Sequence, residues 1–165
     1  MKTLYILRHA KSSWDTLGLA DHDRPLNKRG ETDAPAMGKY LKLAGVKPDL
    51  ILSSTALRAK TTAELIAKEI GYDIEQIELT KRLYHAGEHE IMDVLAEIDS
   101  SINRVIITGH NPGFTYAINY FANHNLDNLP TCGIARIDFN LEHWHQIDRG
   151  KGKITFIEYP KTLKR

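Results

Sequence analysis

The chain has 165 residues, 42% of them hydrophobic and 26% charged, with a formal net charge of +1. That length suits one domain able to bury a real core, and the near-neutral balance excludes the strong basic field that nucleic acid or an anionic membrane surface needs. The only cysteine, Cys132, cannot form an internal disulfide, which excludes a disulfide-stapled secreted scaffold and points to a reducing, cytoplasmic setting.

The first apolar run, residues 4–7, stops at Arg8. It is too short for a signal peptide or a membrane span, so folding is expected to begin at the first residues. It reads as a strand buried on both faces, as do residues 50–52 and 105–107. Helical spacing joins Met37, Tyr40, Leu41 and Ala44, closed by Gly45, then Ala63, Ile66, Ala67 and Ile70, closed by Gly71. A third helical set is Ile91, Val94, Leu95 and Ile98. Pro35 suits the first turn of a helix starting near Asp33 and would kink one starting at Asn27. Strand and helix alternate, which predicts an α/β fold: a three-layer αβα sandwich with a mostly parallel central sheet. From Gly133 the pattern becomes a period of two over residues 134–139 and again over residues 154–159, after a Gly150-Lys151-Gly152 turn and before Pro160. Antiparallel strands near the C-terminus are expected. No repeat or linker composition interrupts the chain, so residues 1–165 are read as a single domain.

Open α/β sheets place their ligand crevice at the carboxyl ends of the strands. The first strand delivers Arg8-His9 to that edge, the strand ending near Ile107 delivers His110, and the turn after residues 50–52 brings Arg58 into the first turn of the next helix. Arginine is costly to bury unpaired. Two of them beside two imidazoles, with no acidic motif residue nearby, suggest a pocket for a tetrahedral oxyanion such as phosphate.

These residues sit in the segments LYILRHAKSSWD, RPLNKRG, SSTALRAKTTAE and TGHNPG, spread in this order over residues 4–113, followed by LPTCGIARIDF. In that order they resemble the histidine phosphatase superfamily, also called the phosphoglycerate mutase-like or RHG family, and within it the short SixA-like phosphohistidine phosphatases. The resemblance implies a phosphoglycerate mutase-like fold and a nucleophilic His9 that becomes phosphorylated. Arg8, Arg58 and His110 are then the phosphate-binding shell, and Ser12 and Asn111 add substrate contacts. It implies no metal and no cofactor. His9 must attack as the neutral ring, and two fixed guanidinium charges beside it should lower its pKa.

The sequence departs from the family at three places. The RHG glycine is Ala10, a methyl group that is expected to be tolerated. An asparagine common in the family is Asp15, which must turn away from a bound phosphate or be protonated, and in the second case could protonate the leaving group. The glutamate that mutase-type members use as general acid has no clear equivalent in residues 83–88, where His85 and Glu88 are the candidate donors. Absence of a strong acid fits a phosphoramidate substrate, whose imidazole leaves more easily than an alkoxide.

Other features read as structural. His85 and His89 have the i,i+4 spacing of two zinc ligands, but Gly87 lies between them and no third ligand is signalled. His143 and His145 flank Trp144 in a polar turn, His22 and His124 carry no pattern, and Cys132 reads as a small buried residue. Arg24 and Lys28 are surface-prone cations that could guide an anionic substrate. The expected function is therefore a metal-independent phosphatase that hydrolyses protein phosphohistidine through His9. The alternatives are a phosphomonoesterase for a small phosphorylated metabolite and a phosphoryl-binding module with little turnover. The partner is a phosphorylated protein or small molecule in each case.

Overall fold

The computed structural model describes residues 1–163. Apolar β1 (Lys2–Arg8), β2 (Leu50–Ser54) and β4 (Arg104–Gly109) are the parallel centre of a six-stranded sheet in the order β3-β2-β4-β1-β5-β6, where β3 is the short strand Glu78–Thr80. The C-terminal strands β5 (Ile134–Phe139) and β6 (Gly152–Glu158) close the β1 side, with β5 antiparallel to both β1 and β6. The expected mixture of parallel centre and antiparallel C-terminal strands is what forms. Strand β3, with one partly buried and two exposed residues, carries no apolar run by which the sequence could announce it.

Side-chain alternation assigns the two faces. Leu4, Ile6, Val105 and Ile107 pack with α3 (Glu88–Ala96) and α4 (Gly113–Ala122), through Ile91, Leu95, Phe114, Ile118 and Phe121. Tyr5, Leu7, Ile51 and Ile106 pack instead with α1 (Lys28–Leu43) and α2 (Leu57–Ile70), through Met37, Leu41, Ile66 and Ala67. Burial on both faces removes the polar alternation of a half-exposed strand, which is why these strands are continuous apolar runs. Pro160 ends the last strand and opens a short helix, α5 (Pro160–Leu163).

Helix α1 starts earlier than Pro35 suggests. The Asn27 side chain caps it by accepting from the Gly30 N–H at 2.9 Å. Gly30 is itself required there, because a Cβ would stand 2.2 Å from the Lys11 carbonyl oxygen. Capping and this close approach outweigh the hydrogen bond that Pro35 removes inside the helix.

The parallel register brings Arg8 opposite Gly109 and Ser53 opposite Thr108, so β1, β2 and β4 end together at one edge. Three separate loops leave from that edge: residues 9–27, the turn into α2, and residues 110–112.

Candidate active site

His9 follows β1 directly and is 7% exposed. Its backbone is held on both sides: its N–H donates to the Gly109 carbonyl at 3.0 Å, and its carbonyl accepts from the Cys132 N–H at 3.0 Å. The ring Nδ1 lies 2.7 Å from the Ala10 carbonyl oxygen. A carbonyl oxygen only accepts, so Nδ1 carries the ring proton and Nε2 keeps its lone pair. Burial is the largest influence on His9 and pushes its pKa down to about 3, with the Arg58, Arg8 and Arg24 guanidiniums acting in the same direction. The expected lowering is present, with burial outweighing the arginine charges in producing it. The methyl of Ala10, the residue that replaces the family glycine, is fully buried in the α1/α2 core, and its N–H donates to Thr62 Oγ1.

His110 leaves the end of β4 and is 3% exposed, its ring centroid 5.3 Å from that of His9. Its Nε2 lies 2.8 Å from Ser54 Oγ, and burial followed by the nearby His9 and Arg58 lowers its pKa to about 2. Both rings are therefore neutral at ordinary pH. Arg8 donates from Nη1 to the Leu129 carbonyl at 2.9 Å. Arg58, in the first turn of α2 as expected, is 3% exposed. Among the described residues, four buried side-chain polar atoms have no hydrogen-bond partner: Thr108 Oγ1, Asp33 Oδ2 beside Arg29 and, at this site, Arg8 Nε and His110 Nδ1. Orphaned polar atoms of this kind mark where a polar ligand belongs.

An acidic residue from outside the motifs, Asp21, stands beside the arginines. Asp21, in a 3-10 turn over Asp21–Asp23, accepts from Arg58 Nη2 at 3.0 Å and from Tyr84 Oη at 2.6 Å on one carboxylate oxygen, and from Arg24 Nη1 at 3.0 Å on the other. Its main-chain carbonyl accepts from Arg58 Nη1 at 2.7 Å. Burial alone would raise the Asp21 pKa, but hydrogen bonds from Tyr84, Arg24 and Arg58 reverse this and hold the carboxylate well below its usual range. Two of these partners, Arg58 and Tyr84, lie 37 and 63 residues away in sequence, and Asp21 reads as one of several compensating surface charges.

Arg24 corrects a second expectation. It is 8% exposed, donates from Nε to the Ser13 carbonyl and from Nη2 to Ser12 Oγ, and has its guanidinium carbon 3.2 Å from the Trp14 ring centroid. It braces the loop after β1, whereas Lys28 is exposed as expected. Ser12 is buried, and its hydroxyl, accepting from Arg24, keeps its own proton to donate.

The side-chain amide of Asn111, expected to contact substrate, is engaged within the chain. Its Nδ2 donates to Asn128 Oδ1 at 3.0 Å and the Leu129 carbonyl at 2.9 Å, and its Oδ1 accepts from the Thr115 N–H and hydroxyl. The Leu129 carbonyl also receives Arg8, so Asn111 fixes the loop that orients Arg8. The TGHNPG motif reveals the residue but not which way its amide faces.

The three candidate proton donors separate. Asp15 is exposed, and its main-chain N–H donates to Ser13 Oγ. Glu88 opens α3 and lies 3.9 Å from His89. His85 reaches the site: its ring centroid is 5.3 Å from His110 and 4.0 Å from Tyr84, and its Nε2 is 3.3 Å from Asp21 Oδ2. His89 turns instead toward Tyr120, so the i,i+4 pair does not converge, and among the described residues no group of three metal-ligating side chains forms. His22, without a sequence pattern, lies at the site's edge against Tyr84 and Thr55. His143 and His145 stack on each other at 5.2 Å, and Cys132 is buried.

Comparisons with known proteins give the family and the fold. The model of the histidine phosphatase superfamily (branch 1) matches residues 4–101, and the chain belongs to that superfamily. An uncharacterized chloroplastic protein of Arabidopsis thaliana is 31% identical over 88% of this chain and 70% of its own length. The crystal structure of a protein provisionally named phosphohistidine phosphatase SixA, from Agrobacterium tumefaciens, superposes with a TM-score of 0.81 at 27% identity, covering 96% of this chain and 98% of that one. A mycobacterial glucosyl-3-phosphoglycerate phosphatase shares the fold at a TM-score of 0.69 and 15% identity, over 93% and 97% of the two chains. Membership of this superfamily supports a phosphatase acting on a phosphorylated substrate. No described helix is long and apolar enough to cross a membrane.

Proposed function

We propose that the protein hydrolyses phosphohistidine in a protein substrate through a covalent phosphohistidine on His9. The observation that carries this reading is the fixed ring of His9, neutral and hydrogen-bonded through Nδ1, beside buried guanidinium and imidazole groups with unpartnered polar atoms. Nε2 attacks phosphorus while Arg8 and Arg58 neutralise the phosphoryl oxygens and His110 Nδ1 donates to charge that grows in the transition state. Ser54 Oγ already accepts from the Ala56 N–H, so its hydroxyl can donate to His110 Nε2 and leave the ring proton on Nδ1. Water then attacks the phosphoenzyme and releases phosphate, with His9 departing as the neutral ring.

Fixed guanidinium charges do the work that a metal ion does in other phosphatases, so we expect turnover to survive chelators. A protein substrate is supported by Trp14, 72% exposed against Arg24 in the loop leading to Asp21, and by the similarity to the SixA-named structure. The similarity to a sugar-phosphate phosphatase favours a small metabolite as second reading. Relative kcat/KM on phosphohistidine peptides and phosphate monoesters separates them.

Incubation with a labelled phosphoryl donor should trap an acid-labile, alkali-stable adduct that is absent from His9→Ala. Label persisting in that variant refutes the nucleophile. Label that accumulates without release of phosphate supports a phosphoryl-binding module instead.

A further inference from the structure

We infer that His85, tethered by Asp21, is the general acid and base of this site; the inference rests on the phosphatase reading above. Three observations carry it. His85 is a non-glycine residue in the left-handed region, with φ 56°, a conformation that is uncommon and collects at functional sites. Its ring stands at the cleft mouth on Tyr84 and against His110, and its side chain is 55% exposed, so a leaving group can reach it. Its Nε2 lies 3.3 Å from Asp21 Oδ2, while Nδ1 makes no hydrogen bond among the described residues. A carboxylate on one ring nitrogen orients the imidazole and leaves the other nitrogen to exchange a proton. The charged groups facing the ring are the Asp21 carboxylate and, through it, Arg58 and Arg24; the neutral rings of His110 and Tyr84 complete its surroundings. Asp15 is exposed, and Glu88 pairs with His89, which turns toward Tyr120.

In the first step the bond from His9 Nε2 to phosphorus forms and the bond to the leaving group breaks. The leaving group takes the bonding electrons and one proton from His85 Nδ1. A departing substrate imidazole accepts that proton at a ring nitrogen and leaves neutral. In the second step neutral His85 takes a proton from water as its oxygen bonds to phosphorus and the bond to Nε2 breaks, which restores both histidines. An imidazole donor is matched in basicity to an imidazole leaving group and poorly matched to an alkoxide, so this residue selects phosphoramidates and activated esters over alkyl phosphates.

The test compares wild type with His85→Asn, a residue that tolerates the left-handed backbone, on 2,4-dinitrophenyl, 4-nitrophenyl and phenyl phosphate and on a phosphohistidine peptide. The expected result is a graded loss in kcat/KM, small for dinitrophenyl and about a hundredfold or more for phenyl phosphate. An equal loss on every substrate, or no loss, overturns the assignment and leaves the His9 chemistry standing. A wild-type protein that neither labels nor turns over any of the four compounds overturns both.

Discussion

The Asp21 carboxylate and the Arg58 guanidinium meet at 3.0 Å, and the main-chain carbonyl of the same aspartate takes a second guanidinium nitrogen at 2.7 Å. One residue thus fixes the plane of a buried arginine whose free donors remain for an anion.

Asp21→Asn should retain the fold but lower kcat/KM for any phosphoryl substrate by about tenfold, because Arg58 loses its charge-assisted brace. The Asp21 pKa is lowered in the folded protein. Its contribution to stability is therefore present above the unfolded carboxylate value near pH ~3.9 and is lost as pH falls through the folded value. Urea unfolding should show the variant less stable at pH 7, with the difference shrinking below about pH 4.

Acid should destabilise the protein well above the carboxylate range. His9 and His110 have folded pKa values of about 3 and 2, below the unfolded imidazole value of about 6.5. The unfolded chain binds these protons first, so the stability is complete above pH ~6.5 and declines as pH falls toward the folded values. Each group contributes a slope of up to about 1.4 kcal/mol per pH unit in that window. Replacing either histidine with asparagine should flatten the dependence of the urea midpoint between pH 7 and pH 5.

Gly113→Ala should damage the site from outside it. A Cβ at Gly113 would lie 1.7 Å from the Ala86 carbonyl oxygen, so α4 and the segment carrying Tyr84 and His85 must separate. A stability loss of about 1–3 kcal/mol is expected from this overpacking, together with reduced kcat. Thermal unfolding and steady-state kinetics on one preparation would detect both.

Cys132 should be inert in the native state. Burial pushes its thiol pKa up, with the nearby Asp33 carboxylate adding to the effect, so the thiolate that reacts is scarce. A maleimide should label it at a rate that follows unfolding, rising with urea across the transition.

The parallel strands, their apolar faces and the delivery of Arg8, His9, Arg58 and His110 to one edge were determined by local sequence. Continuous apolar runs need burial on both faces, and residues just past such strands arrive at the same rim. What only the tertiary structure decided is how polar groups are shared there. Asp21 reads as a solvated charge and is drawn into the site by Arg58 and Tyr84, both distant in sequence, while Asn111 sits in a ligand-binding motif and spends its amide on loop 128–129. The physical reason is range: backbone periodicity is set by neighbours a few residues apart, whereas a hydrogen bond chooses among all groups the fold brings within 3 Å.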